Sequence, residues 1–251
     1  MELELAGKRT LVTGSSGGIG RAIAATLQAE GCHVALNGRD SARLHETARE
    51  LGCAATVVGD VTDPEQARRI VANVVEQLGG LDVLVCNVGS GRSVPPGQES
   101  ADEWQRIFAL NLWSATNMVE AARQALAKSR GVIVCISSIC GAEVILGAPV
   151  TYSAAKAALH AYVRGIARPL GLEGVRINAI APGNILFDSS VWAKKIADDA
   201  SGVKQMLMRE VSLARLGAPE EIADAVAYMV SARAGFASGA VWTLDGGQTR
   251  A

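Results

Sequence analysis

The sequence predicts a three-layer α/β fold: a doubly wound, mostly parallel sheet of about seven strands with helices on both faces. Three observations point there. Seven short β-rich runs recur along the 251 residues, each separated from the next by a helical stretch, with no linker, internal repeat or low-complexity tract between them. Several runs are apolar almost throughout, such as VLVC at 83–86 and VIVCIS at 132–137, as expected of strands covered on both faces. Residues 11–20, LVTGSSGGIG, read as a buried strand that runs into a glycine-rich turn and then a helix. Residues 1–251 are therefore expected to form one domain, and a chain of this length buries roughly 75% of its unfolded surface without needing disulfides or metal.

The strands are expected at 9–13, 33–37, 55–59, 83–87, 132–137, 176–180 and 240–244. After the first, Gly14, Gly18 and Gly20 remove side chains where the backbone bends and a ligand comes close. The helix that follows aims its free N–H groups and positive dipole end at the turn, which suits a phosphate. The spacing is neither G-x-G-x-x-G nor a Walker loop. Asp40 reads as an N-cap for a helix over 41–51. Asp63-Pro64-Glu65-Gln66 joins an N-cap acid, a proline at the first helical position and an N3 glutamine. Ser100 and Glu103 form a capping box ahead of Trp104, Ile107, Phe108 and Leu112, and Pro219-Glu220-Glu221 opens a last helix with its acids in the first turn. Pro169 is expected to end or kink the helix that carries Tyr152. Residues 184–217 form the longest stretch without strand character; they follow a strand end where ligands sit in open sheets, so a substrate lid is expected there.

Composition excludes several function classes. With 24 Lys+Arg against 25 Asp+Glu the net charge is −1, which leaves no basic field for nucleic acid or an anionic membrane. Aromatic residues, at 4%, are too few for a stacking platform along single strands. Cys32, Cys53, Cys86, Cys135 and Cys140 have no paired spacing and read as small buried hydrophobes of a reducing compartment. His33, His45 and His160 lie far apart without ligand spacing, so no metal site is expected. The N-terminus carries two acids before its first apolar run and does not read as a signal peptide, and no apolar run approaches the ~20 residues of a membrane span. A cytoplasmic protein is expected.

The candidate chemistry lies in Tyr152-Ser-Ala-Ala-Lys156, whose i, i+4 spacing puts phenol and ammonium on one face of an alanine-rich helix. A free phenol titrates near 10, and acid–base work near pH 7 asks for a downward shift of about 3 units. The ammonium is expected to supply it, since an opposite charge favours the phenolate. Fourteen residues upstream, Ser137-Ser138 ends a strand. Asn111, within Leu110-Asn-Leu, needs partners for its amide and is either a buried hydrogen-bond staple or part of a polar network.

Taken together these motifs resemble the short-chain dehydrogenase/reductase family of compact, single-domain type, over essentially the whole chain. Thr13-Gly14-Ser15-Ser16-Gly17-Gly18-Ile19-Gly20 is similar to its cofactor turn. Asp60-Val61 corresponds to the pair that meets the adenine, and Cys86-Asn87-Val88-Gly89 to its N-N-A-G, with Asn87 and Gly89 kept. Asn111, Ser138, Tyr152 and Lys156 match its catalytic tetrad; Pro182-Gly183, with Ile185 just beyond, and Asp245-Gly246-Gly247 match two later turns. The resemblance implies a Rossmann fold, a nicotinamide cofactor held by these turns and by Tyr152 and Lys156, a small carbonyl or alcohol substrate, and homotetramers or homodimers. It implies Tyr152 as general acid/base, Ser138 as the residue orienting the substrate oxygen, Lys156 on the nicotinamide ribose and Asn111 holding a water in the proton path. Phe187 stands where the family often has threonine and could face substrate instead.

Cofactor choice turns on the end of the second strand. The place of the acid that would bind a ribose 2′-hydroxyl falls at Gly38, and Arg39 follows, a guanidinium shaped for a 2′-phosphate, with Ser15 and Ser16 as hydroxyl donors. NADP is expected over NAD, the rival being that Asp40 turns inward to the ribose. For function, the leading expectation is a carbonyl reductase or alcohol dehydrogenase. Reduction of 3-oxoacyl groups on an acyl carrier protein is a narrower version; Lys128 and Arg130 could dock an acidic carrier, but Leu172-Glu173 does not suit one. A non-catalytic nucleotide-binding scaffold is the alternative from another class. Arg92, just past Gly89, could meet an anionic or sugar-like substrate or simply be solvated.

Overall fold

Each apolar run becomes a strand because its alternate side chains find two separate cores. The structure, a computed structural model, describes residues 2–250. The strands are β1 (Arg9–Val12), β2 (His33–Gly38), β3 (Ala55–Val58), β4 (Val83–Cys86), β5 (Val132–Ile136), β6 (Arg176–Pro182) and β7 (Val241–Leu244). They form one sheet in the order β3-β2-β1-β4-β5-β6-β7, with every neighbouring pair parallel. In β4, Leu84 packs into one core while Val83 and Val85 pack into the other. Leu11 and Val12 divide in the same way, as do Ile133 and Val134. A strand buried on both faces cannot afford the polar alternation of a half-exposed one.

The helices that cover the sheet are α1 (Gly18–Ala29), α2 (Ser41–Leu51), α3 (Pro64–Leu78), α4 (Ala101–Phe108), α5 (Ser114–Ser129), α6 (Val150–Leu172), α7 (Val191–Glu210) and α8 (Pro219–Val230). Ile23 and Leu27 of α1, Leu44 of α2 and Val226 of α8 fill one core; Ile70 of α3, Met118 of α5 and Leu159 and Val163 of α6 fill the other. The caps behave as polar end groups should. Asp40 accepts from the Arg43 N–H at 3.1 Å, and Asp63 accepts from the N–H groups of Glu65 and Gln66. The box at Ser100 closes only halfway: its hydroxyl accepts from Glu103 N–H, but the Glu103 carboxylate turns to Ser93 and Arg106. Pro169 does not end α6, which runs on to Leu172.

Sheet order changes direction between β1 and β4, and the chain leaves their carboxyl ends on opposite sides, opening a crevice. Among the described residues no helix is long and apolar enough to cross a membrane, and no group of three His, Cys, Asp or Glu could hold a metal ion.

Leu84 has no exposed surface in the central strand pair. Leu84→Ala is expected to lower unfolding free energy by about 2–5 kcal/mol in a denaturant titration, because the neighbours cannot collapse into the cavity. Val144→Ala, at a side chain almost fully exposed, is expected to stay within about 0.5 kcal/mol.

Candidate active site

The glycine turn sits over the crevice because both flanking strands staple it. Thr13 donates its hydroxyl to the Val85 carbonyl and accepts from the Asn87 N–H, and the Asn87 amide donates to the carbonyls of Thr13 and Gly14 at 3.0 and 3.1 Å. On the other side the Ser15 hydroxyl accepts from Asn37 N–H at 3.0 Å. The helix then packs back so tightly that a Cβ on Gly20 would stand 2.4 Å from the Gly14 carbonyl oxygen. Gly14 and Gly18 have φ of +62° and +53°, a region that favours glycine. The result is a concave backbone edge with the start of α1 aimed into it.

A cleft of about 630 Å³ runs from this edge along the carboxyl ends of β2, β1, β4 and β5. At its β2 end stand Ser16, Gly38, Arg39 and Arg43, with Asp60 and Val61 beside them. Asp60 accepts from Thr62 through both N–H and hydroxyl and reaches Arg39 at 3.4 Å, contacts that hold its carboxyl below the usual range against the opposing pull of burial. Asp40 is spent on its cap and does not turn inward.

At the other end α6 carries Tyr152 and Lys156 to the end of β5. Lys156 is only 3% exposed and donates to the Ile136 carbonyl at 2.9 Å; its ammonium lies 5.8 Å from the centre of the Tyr152 ring. Burial lowers the Lys156 pKa to about 8. Burial also raises the Tyr152 phenol to about 12, while the Ser138 hydroxyl pulls it the other way. The expected lowering by the ammonium does not show: desolvation is the largest influence and raises the phenol above its ordinary value. Ser138 is buried and caps a short 3₁₀ turn, accepting from Cys140 N–H at 3.2 Å. Asn111 lies in a π-helical turn (Ala109–Trp113) between α4 and α5. Its amide donates to the carbonyls of Ser90 and Ile107 and accepts from Ser90 N–H, so the side chain is the staple of the two readings, fastening the loop after β4.

The structure thus brings Gly14, Ser16, Gly18, Ile19, Gly20, Arg39, Asp60, Val61, Asn87, Gly89, Tyr152 and Lys156 to one cleft wall, with Ser138 and Asn111 directly behind it. Four expected cofactor residues are not brought there. Ser15 is fully buried with its hydroxyl engaged by Asn37. Pro182 is buried in β6, and Gly183 serves the close approach of Asp245, whose Cβ would stand 2.7 Å from an added Cβ. Ile185 lines a separate cavity of about 170 Å³ with Val211, Leu213 and Ile222. Phe187 lies against Gly18, and it too lines the cleft. Arg43 and Ser137 are among the lining residues that the sequence reading did not assign to the site. Arg43 follows its cap by three positions, which was the available signal; Ser137, 5% exposed, presents a hydroxyl without a partner on the protein.

Comparison with known proteins agrees with this arrangement. A family model described as enoyl-(acyl carrier protein) reductase matches residues 14–249. The chain is 34% identical over 243 residues to the 3-oxoacyl-[acyl-carrier-protein] reductase of Salmonella typhimurium, covering 96% of this chain and 97% of that one. It superposes on L-sorbose reductase from Gluconobacter frateurii, solved with NADPH and L-sorbose, at a TM-score of 0.93 and 31% identity over 100% of both chains. A 7α-hydroxysteroid dehydrogenase, solved with NADH and 7-oxo glycochenodeoxycholic acid, matches at 0.90 and 28%, covering 100% of this chain and 97% of that one.

The buried ammonium gives a pH signature. The folded-state pKa of Lys156, about 8, lies below its ordinary 10.5, so between those values the unfolded chain binds the extra proton and the wild type gains stability as pH rises. For Lys156→Met, the difference in Tm, variant minus wild type, is therefore expected to fall across that window in thermal melts; a flat difference would contradict the buried charge.

Proposed function

This chain belongs to the short-chain dehydrogenase/reductase family of oxidoreductases, and on that premise we propose that it is an NADP-dependent enzyme interconverting a carbonyl and a secondary alcohol on a small molecule. The observation that carries the reading is a single cleft with an anion-ready glycine turn and two arginines at one end and the Tyr152–Lys156 pair at the other. The residues suit a dinucleotide: Ser137 offers a buried hydroxyl that no protein group satisfies, and the turn keeps backbone N–H groups at the cleft edge without side chains in the way. Ser16, Arg39 and Arg43 would hold the 2′-phosphate, and no acid stands free at the end of β2 to prefer a 2′-hydroxyl.

When bound, the cofactor supplies hydride at the nicotinamide C4. Tyr152 donates its proton to the carbonyl oxygen as the alcohol forms, and takes it back in the reverse direction. Ser138 hydrogen-bonds the same oxygen and orients it. Lys156 stabilises the phenolate that remains and would hold the nicotinamide ribose. Asn111 fastens Ser90, and with it Gly89, beside Lys156. Residues 184–217 act as a lid over the reacting end; their two ends meet where Leu186 N–H donates to Gly217 and Gly217 N–H donates to Asn184.

Likeness to a 3-oxoacyl-[acyl-carrier-protein] reductase favours a second reading, turnover of acyl groups on a carrier protein. The surface argues against it, since Leu172 is exposed and Glu173 already pairs with Arg123.

A panel of ketones and acetoacetyl thioesters, run with NADPH and NADH, tests all three points. NADPH is expected to be preferred, and Arg39→Ala with Arg43→Ala to narrow that preference; a wild-type preference for NADH would overturn the cofactor assignment. Tyr152→Phe is expected to lower kcat by about 10²–10⁴, and undiminished activity would refute the mechanism. Turnover of thioesters but of no free ketone would favour the carrier-protein reading.

A further inference from the structure

Four cationic side chains line the cleft, Arg39, Arg43, Arg92 and Lys156, against one carboxylate, Asp60, which is already paired with Arg39. The proposed function uses three of these cations: two for a 2′-phosphate and Lys156 for the ribose and the phenol. Arg92 is left over, and it is on the reacting side. It follows Gly91 directly, and a Cβ on Gly91 would stand 3.8 Å from the Tyr152 ring.

Arg92 forms no ion pair among the described residues. Its backbone is fixed from two directions, by its N–H donating to the Ser90 hydroxyl at 3.1 Å and by Arg106 donating to its carbonyl at 3.2 Å. One guanidinium N–H donates to the Ser189 carbonyl at 3.0 Å, across the cleft in the 184–217 segment. A guanidinium carries five N–H donors in a planar fork, so most of that fork is unspent. Arg106, the other arginine nearby, cannot take its place because Glu103 binds it through two N–H groups.

We propose that Arg92 reads a carboxylate on the substrate, so that this enzyme acts on an oxo acid or the matching hydroxy acid. The proposal rests on the oxidoreductase reading above. A single guanidinium balances the one charge of a carboxylate, and not the two of a phosphate monoester, and its fork accepts both carboxylate oxygens. The carboxylate itself takes no part in the hydride step; it fixes the carbonyl at a set distance from Tyr152.

The test compares 2-, 3- and 4-oxo acids, each with its methyl ester, as substrates of the NADPH-loaded enzyme. At least one acid is expected to exceed its ester in kcat/KM by about 10- to 100-fold, the range of a charge-assisted hydrogen bond, mainly through KM. Raising the ionic strength should shrink that ratio. Arg92→Gln should collapse it toward one, and Arg92→Lys should restore part of it. If Arg92 only latches Ser189, Arg92→Gln would lower acid and ester together and preserve the ratio, which would overturn the proposal. Turnover of neutral ketones with no gain for any acid would overturn it too, whereas turnover of no carbonyl at all would overturn the oxidoreductase reading beneath it.

Discussion

The ammonium of Lys156 is buried with no carboxylate beside it, and much of the architecture at the carboxyl ends of the strands serves to keep it there. A charge taken out of water is strongly unfavourable unless polar groups close in on it. Ile136 supplies a carbonyl from the last position of β5, and the backbone at Gly89 comes near as well. That requires a missing side chain. A Cβ on Gly89 would stand 2.8 Å from the Asn111 side-chain carbonyl oxygen and 3.1 Å from the ammonium. The π-helical turn at Ala109–Trp113 fits the same logic, since an extra residue in a helix re-aims a side chain, here Asn111, toward the loop that passes over the lysine.

All seven strands were legible in the sequence to within about two residues, because runs such as VLVC and VIVCIS have no polar face to offer and fit only a doubly covered sheet. The helix starts at Asp40 and Asp63 were legible for an equally local reason, a short acid next to free N–H groups. What failed depended on contacts far along the chain. Ser15 and Ser16 look alike in sequence, yet Asn37 captures one and leaves the other at the cleft. Glu103 had a local partner in Ser100 N–H and took Arg106 and Ser93 instead. The packing of Gly183 on Asp245, 62 positions later, has no local signal either. Ser137 was overshadowed by Ser138, although strand alternation sends their side chains to different places.

Net charge was a poor guide to the site. A chain at −1 overall holds four cations and one engaged carboxylate in its cleft, because a concave surface is set by a few residues and the total by all of them. Tyr152 and Lys156 likewise answer to their immediate surroundings. Burial acts on both members in opposite directions, raising Tyr152 to about 12 and lowering Lys156 to about 8, so each is held in its neutral form more than it would be in water. A phenol in that state is a proton donor awaiting a reason to let go.

In the proposed mechanism the bound cofactor, together with Lys156, supplies that reason by making the phenolate accessible. An ultraviolet difference titration, wild type minus Tyr152→Phe, isolates Tyr152 from the other two tyrosines. Without cofactor, Tyr152 is expected not to ionise below about pH 11; with NADP⁺ bound it should ionise several units lower in the wild type but not in Lys156→Met. A Tyr152 that ionises near 10 in the free enzyme, or whose ionisation ignores both NADP⁺ and Lys156, would contradict the account.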